Sequence, residues 1–324
     1  MPHPSTIHPA RVVSLLPSAT EIVHCLGAAG RLVGRSHECD FPAELGHLPV
    51  LTSAWAAMPT ASDPAAIDRH VRDSVGSGRP LYRLDTALLA RLAPDLIVTQ
   101  DLCDVCSVDL ATVRGVAAGL RPVPAVLSLN PTTLEGVLDD VLRVGDALGL
   151  AGAAAGVVVG LRERLFAAEE HVNPFVEGPR VLFLEWTDPL FVGGHWIPQM
   201  VERAGGRHVL NPTVARAGSG AAIGPQLAER VAGKSVAVSV EAAAASEPEV
   251  VIVCPCGVGL EESVRQAKEL RRAGWVGGAA VYAVDGNQMF SRPGPRLVEA
   301  FEFLVGILSG VPGLEPEGFP YERV

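Results

Sequence analysis

The sequence predicts an α/β protein of two halves, each a mainly parallel sheet covered by helices, joined by a helical connector. Three observations predict it. Short β-branched runs, such as Leu96-Ile97-Val98-Thr99 and Val250-Val251-Ile252-Val253, alternate with segments of helical period along the whole chain. These runs are apolar throughout, as strands buried on both faces of a parallel sheet are. A long stretch of helical period, residues 131–171, separates the two series.

In the first half, residues 1–130, strands are expected at 11–16, 31–35, 48–51, 95–100 and 124–129. Helices are expected at 20–28, 63–76, 86–92 and 107–119. The connector, residues 131–172, opens on Thr132 or Thr133 as an N-cap, with Glu135 close behind. Leu134, Val137, Leu138, Val141, Leu142 and Val144 then follow at helical spacing, and the pattern resumes through Leu161, Leu165 and Phe166. One long helix fits this pattern, and so do two helices broken at Gly149. Asn173-Pro174 ends it. In the second half, residues 173–324, strands are expected at 179–185, 190–192, 235–239, 249–254 and 279–284. Helices are expected there at 196–204, 225–232, 260–273 and 295–308.

Composition narrows the function classes. A chain of 324 residues, 48% hydrophobic and 19% charged, can build two real cores. Its 36 acidic against 26 basic residues, net charge −10, argue against a nucleic-acid or anionic-membrane footprint. No apolar run reaches the ~18 residues of a membrane span, so no membrane insertion is expected. Residues 1–9 carry neither a basic n-region nor an apolar h-region, which makes the cytoplasm the expected compartment. There the six cysteines are expected as thiols or metal ligands rather than disulfides.

The candidate site residues follow from the strand ends, where ligands bind in open α/β sheets. Cys103 and Cys106 follow the run at 95–100, and Cys254 and Cys256 follow the run at 249–254. Brought together, four thiolates could hold Zn²⁺ or an iron–sulfur cluster, and Cys39 beside His37 would add a third donor group. The Cys103-x-x-Cys106 spacing also suits a thiol-dependent redox enzyme. Against these stands simple packing of small apolar side chains, the reading taken for Cys25. His37 reads more readily as an ordinary surface loop histidine than as a ligand. Trp55, Trp186 and Trp196 could stack on a flat macrocycle, or could anchor strand–helix junctions. Glu21 reads as a cap, and Arg292 and Arg296 as orienting the last helix. A phosphate loop fails at Ala228, and a dinucleotide fingerprint fails at Glu262. No Gly-x-Ser-x-Gly elbow or His-Glu-x-x-His helix occurs, so an enzyme is not the expectation.

Further motifs carry a resemblance. They are Ser14-Leu15-Leu16-Pro17-Ser18-Ala19-Thr20-Glu21, the Asp-Phe-Pro after Cys39, Pro94-Asp95-Leu96-Ile97, Gly193-Gly194-His195-Trp196-Ile197 with Ala204-Gly205-Gly206, and Ser291-Arg292-Pro293-Gly294-Pro295-Arg296. In this order the chain, from about residue 11 to 310, resembles the helical-backbone substrate-binding proteins of cobalamin and iron–siderophore ABC transporters. The resemblance implies two Rossmann-like lobes joined by a backbone helix, and a small-molecule metal chelate held without catalysis in the cleft between them. It implies cobalamin or another corrinoid as ligand; the contacts expected for it, taken from the strand ends and aromatic faces, are Pro17, Ser18, His37, Glu38, Trp55, Trp186, His195, Trp196 and Phe290. Secreted members carry a leader or lipid anchor that this sequence lacks, which argues against docking to an ABC permease. The segment 52–83 is longer than the family needs, and the paired cysteines depart from its pattern.

Overall fold

The computed structural model describes residues 8–102, 108–216, 230–311 and 313–324. Contacts group the chain into two units. The first comprises Met1–Met58, Arg69–Asn130 and Gly136–Leu161; the second comprises Pro59–Asp68, Pro131–Glu135 and Arg162–Val324.

In the first unit the expected apolar runs become strands β1 (Val12–Ser14), β2 (Leu32–Arg35), β5 (Leu96–Thr99) and β6 (Ala125–Ser128), in the order β2-β1-β5-β6 and all parallel. Val13, Leu15, Ile97 and Val113 pack into one core with Leu51 and Leu89. Helix α1 (Pro17–Cys25) starts three residues before the expected position, because Pro17 occupies the first turn, where a missing N–H costs nothing. The strand expected at 48–51 is displaced to β3 (Thr52–Ala54), which pairs antiparallel with β4 (Tyr82–Leu84). Val50 makes only an isolated bridge to Arg35. Helix α2 (Pro64–Gly76) lies between β3 and β4 in sequence. Helices α3 (Thr86–Leu92) and α4 (Leu110–Gly119) are capped by Asp85 and Asp109, whose carboxylates accept from Leu88 and Thr112 N–H at 2.8 and 2.7 Å.

The connector is two helices, α5 (Leu134–Ala147) and α6 (Ala151–Glu169). The break is a C-terminal cap at Gly149, which sits at φ +69°. Leu150 N–H returns to Gly145 O at 2.7 Å and Gly149 N–H to Asp146 O at 3.0 Å. A residue with a side chain adopts that backbone only at a cost, so the sequence ends α5 there.

The second unit is built on β7 (Arg180–Thr187), β8 (Leu190–Val192), β9 (Arg207–His208), β12 (Val236–Val238), β13 (Val250–Val253), β14 (Ala280–Val284) and β15 (Tyr321–Arg323). The order is β12-β8-β7-β13-β14-β15, with β9 beside β7. Strands β7, β13 and β14 are parallel, whereas at the margins β8 pairs antiparallel with β7, β12 with β8, and β15 with β14. Leu182, Leu184, Val251, Val253 and Ala283 form its core with Val264 of α9 (Leu260–Arg272). Helices α7 (Trp196–Arg203), α8 (Val240–Ala245) and α10 (Leu297–Ser309) complete the unit. The helix expected at 225–232 is not formed by its described part. Arg230–Val231 is strand β11, antiparallel to β10 (Val214–Ala215), and residues 225–229 lie outside the described residues.

Candidate functional site: the strand-end loops

In the first unit the loops after β1 and β2 are tied together by hydroxyls. Ser14 Oγ donates to Leu16 O at 2.9 Å, and Thr20 Oγ1 donates to Ser14 Oγ at 2.9 Å. This turn buries Ser18 and leaves Pro17 half-buried. After β2, Arg35 donates to Cys39 O at 2.8 Å and to Ser36 O at 3.2 Å, which closes the loop on itself. His37 Nδ1 lies 2.7 Å from Thr52 Oγ1, and its Nε2 lies 3.0 Å from Glu38 Oε1. The ring also meets Tyr82 at 5.3 Å between centroids. His37 is thus held by three groups, two of them on β3 and β4. A shallow hollow of about 10 Å³, room for one water, is lined by Leu15, Ser36, His37, Glu38, Thr52 and Tyr82. Cys39 is buried, with Thr20 Oγ1 at 3.1 Å from its sulfur.

Trp55 does not join this group. It is 50% exposed, and it lines a different hollow with His70 and Arg79. Cys103 and Cys106 lie outside the described residues.

In the second unit the loop after β8 is tied down by several contacts. His195 adopts φ +54° with ψ −115°, a left-handed conformation rare for a residue with a side chain. Its N–H donates to Gly233 O at 2.8 Å, and this fixes the turn. Gly194 is required beside it, since an added Cβ would lie 2.2 Å from Ser235 N. Glu185, at the end of β7, accepts from Gly194 N–H at 3.2 Å and from the Ser235 hydroxyl. The His195 imidazole stacks on the Trp196 ring at 5.8 Å and has no hydrogen-bond partner among the described residues. Burial, and then the Lys234 charge, hold its pKa below the usual histidine value, so the ring is neutral at pH 7.

Trp196 and Phe290, two of the expected contacts, are both buried. Trp196 is 7% exposed and donates its indole N–H to Phe290 O at 2.9 Å; Phe290 is 2% exposed and packs edge-on against Phe183 at 5.0 Å. Together they fasten the loop after β14 to the start of α7. Trp186 is half-buried, and its indole N–H is spent on Pro64 O at 3.2 Å and Asp188 O at 3.1 Å.

The two cysteines after β13 differ in state. Cys254 is fully buried and its thiol is pushed well above the usual range, first by burial and then by Cys256, Glu185 and Asp285. It is therefore a protonated packing group, 3.9 Å from Asp285 O. Cys256 is exposed. Among the described residues no three His, Cys, Asp or Glu side chains converge to hold a metal ion.

No family model matches the chain, and no curated protein sequence matches it. Solved structures do. A periplasmic heme binding protein from Pseudomonas aeruginosa is 19% identical, with a TM-score of 0.64 over 97% of this chain and 98% of its own. The periplasmic vitamin B12 binding protein of Vibrio cholerae is 17% identical, with a TM-score of 0.60 over 92% and 95%. A periplasmic binding protein from Veillonella parvula is 14% identical, with a TM-score of 0.65 over 94% and 93%. At these identities the likeness is one of fold. The chain has the α/β fold of periplasmic binding proteins.

Proposed function

We propose that this protein is a non-catalytic binding protein for a planar metal chelate, a corrinoid or a related tetrapyrrole. The observation that carries the reading is His195. Its imidazole is neutral, without a hydrogen-bond partner among the described residues, and held in a strained backbone at a strand end. A neutral ring nitrogen is what metal coordination requires, and a site that spends backbone strain on one side chain fits a ligand-binding role. Within the first unit, taken by itself, His37 holds Thr52 and Glu38 through its two ring nitrogens, a preorganised polar group at a strand end. Two of the structural neighbours are, by their descriptions, a heme binder and a vitamin B12 binder, which supports the same ligand class.

The test is a visible-absorbance titration with aquacobalamin and, separately, with hemin. Binding predicts a saturable spectral shift toward imidazole coordination, lost in His195→Ala while the melting curve stays cooperative. No spectral change and no retained chelate at micromolar concentrations would overturn the reading.

A further inference from the structure

The long segment between β3 and β4 builds a second hollow, apart from the strand-end loops. It holds about 50 Å³ and is lined by Trp55, His70, Ser74, Arg79, Pro80 and Leu81, all within the first unit. The walls are tied together by contacts between residues distant in sequence. Trp55 N–H donates to Leu81 O at 2.7 Å, and Arg83 donates to Trp55 O at 3.0 Å while its guanidinium stacks over the indole at 4.8 Å. Arg79 Nε is anchored to Ser77 Oγ at 2.9 Å, which leaves both terminal nitrogens of the guanidinium to point elsewhere.

What the hollow offers is donors. The Trp55 indole N–H, the Ser74 hydroxyl, the His70 ring and the terminal nitrogens of Arg79 have no hydrogen-bond partner among the described residues. None of the lining side chains is acidic. An aromatic side chain as large as Trp55, left 50% exposed beside two guanidinium groups, is a flat apolar surface next to positive charge. A guanidinium fork pairs best with a planar, two-oxygen anion, and a volume near 50 Å³ matches a carboxylate group rather than a whole macrocycle.

We propose that this hollow is a binding site for a small carboxylate with a planar apolar body, the carboxylate seated at Arg79, Ser74 and His70 and the body against Trp55. This site is independent of the chelate reading and stands or falls without it.

Benzoate is the probe, and the Trp55 indole N–H resonance, assigned through Trp55→Phe, is the readout. Benzoate should shift that resonance saturably with an affinity near the millimolar range, and benzamide, which has the same shape without the charge, should not. Arg79→Ala should weaken binding by about tenfold or more, since charge-assisted hydrogen bonds are among the strong ones, while leaving the melting temperature unchanged. Arg79→Lys should restore part of the affinity, which a purely structural role for Arg79 would not produce. No shift at about 10 mM benzoate, well above a millimolar affinity, would overturn the proposal. So would an equal response to benzamide, or to inorganic phosphate, which would assign the hollow to neutral aromatics or to anions in general.

Discussion

His208 makes stability depend on pH in a defined window. It lies on β9, is 2% exposed, and neither ring nitrogen has a hydrogen-bond partner among the described residues. Burial lowers its pKa from 6.5 to about 4, only partly offset by backbone contacts at His208 itself and Asn211. The folded state therefore binds this proton more weakly than the unfolded state does. Well above pH 6.5 the ring is neutral in both states and adds no pH dependence. As pH falls from 6.5 toward 4 the unfolded chain takes up the proton first, and stability is lost. At 1.36 kcal/mol per pKa unit the loss is about 3 kcal/mol by pH 4. Asp140 acts in the same window with the opposite sign, because burial raises its carboxyl to about 6 despite the neighbouring Arg143. The total curve thus mixes both groups, and a difference isolates one. Urea denaturation of the wild type and His208→Leu, at pH 7.5, 6, 5 and 4, is the assay. The stability of His208→Leu relative to wild type should grow by about 3 kcal/mol between pH 7.5 and 4. A difference that does not change with pH would refute the reasoning.

Three further outcomes follow from the second unit. His195→Gly should raise stability by about 1 kcal/mol, because glycine adopts the φ +54° backbone without strain, and the same change should abolish the chelate's spectral shift; both are read by denaturation and titration. Gly194→Ala should cost more than about 2 kcal/mol, since its Cβ meets backbone atoms that cannot rotate away, and a melting curve checks it. Iodoacetamide at pH 7.5, followed by peptide mass spectrometry, should label Cys256 and spare Cys254, which is buried and protonated; equal labelling would contradict the assigned burial.

Much of the fold is legible because its signals are local. Strands β1, β5, β13 and β14 are fully or almost fully buried, and their short, mostly apolar runs say so. The break at Gly149 is legible as an alternative, because only the backbone angle decides between a kink and a cap. The misses are tertiary. β11 pairs with β10, and Arg230 also reaches Thr213 O at 2.7 Å; a two-residue strand leaves no periodic trace. The site divides in the same way. His195 can be picked out as an imidazole at a strand end, but its backbone strain and neutrality cannot. That the Trp196 indole N–H is spent on Phe290 O, 94 residues away, is a tertiary fact with no trace in the sequence. Thr52 and Tyr82, which hold His37, sit in a segment whose strands the sequence reading did not place. Cys254 and Cys256 look equivalent in the sequence. One faces the core and the other solvent, and that depends on how the chain leaves β13.

The most direct test of the chelate reading is equilibrium dialysis of the purified protein against aquacobalamin and against hemin, with bound metal quantified per chain. The account predicts saturable binding of at least one of the two, near one chelate per chain, with His195→Ala retaining markedly less of it. Absence of saturable binding of either chelate at micromolar concentration would contradict it.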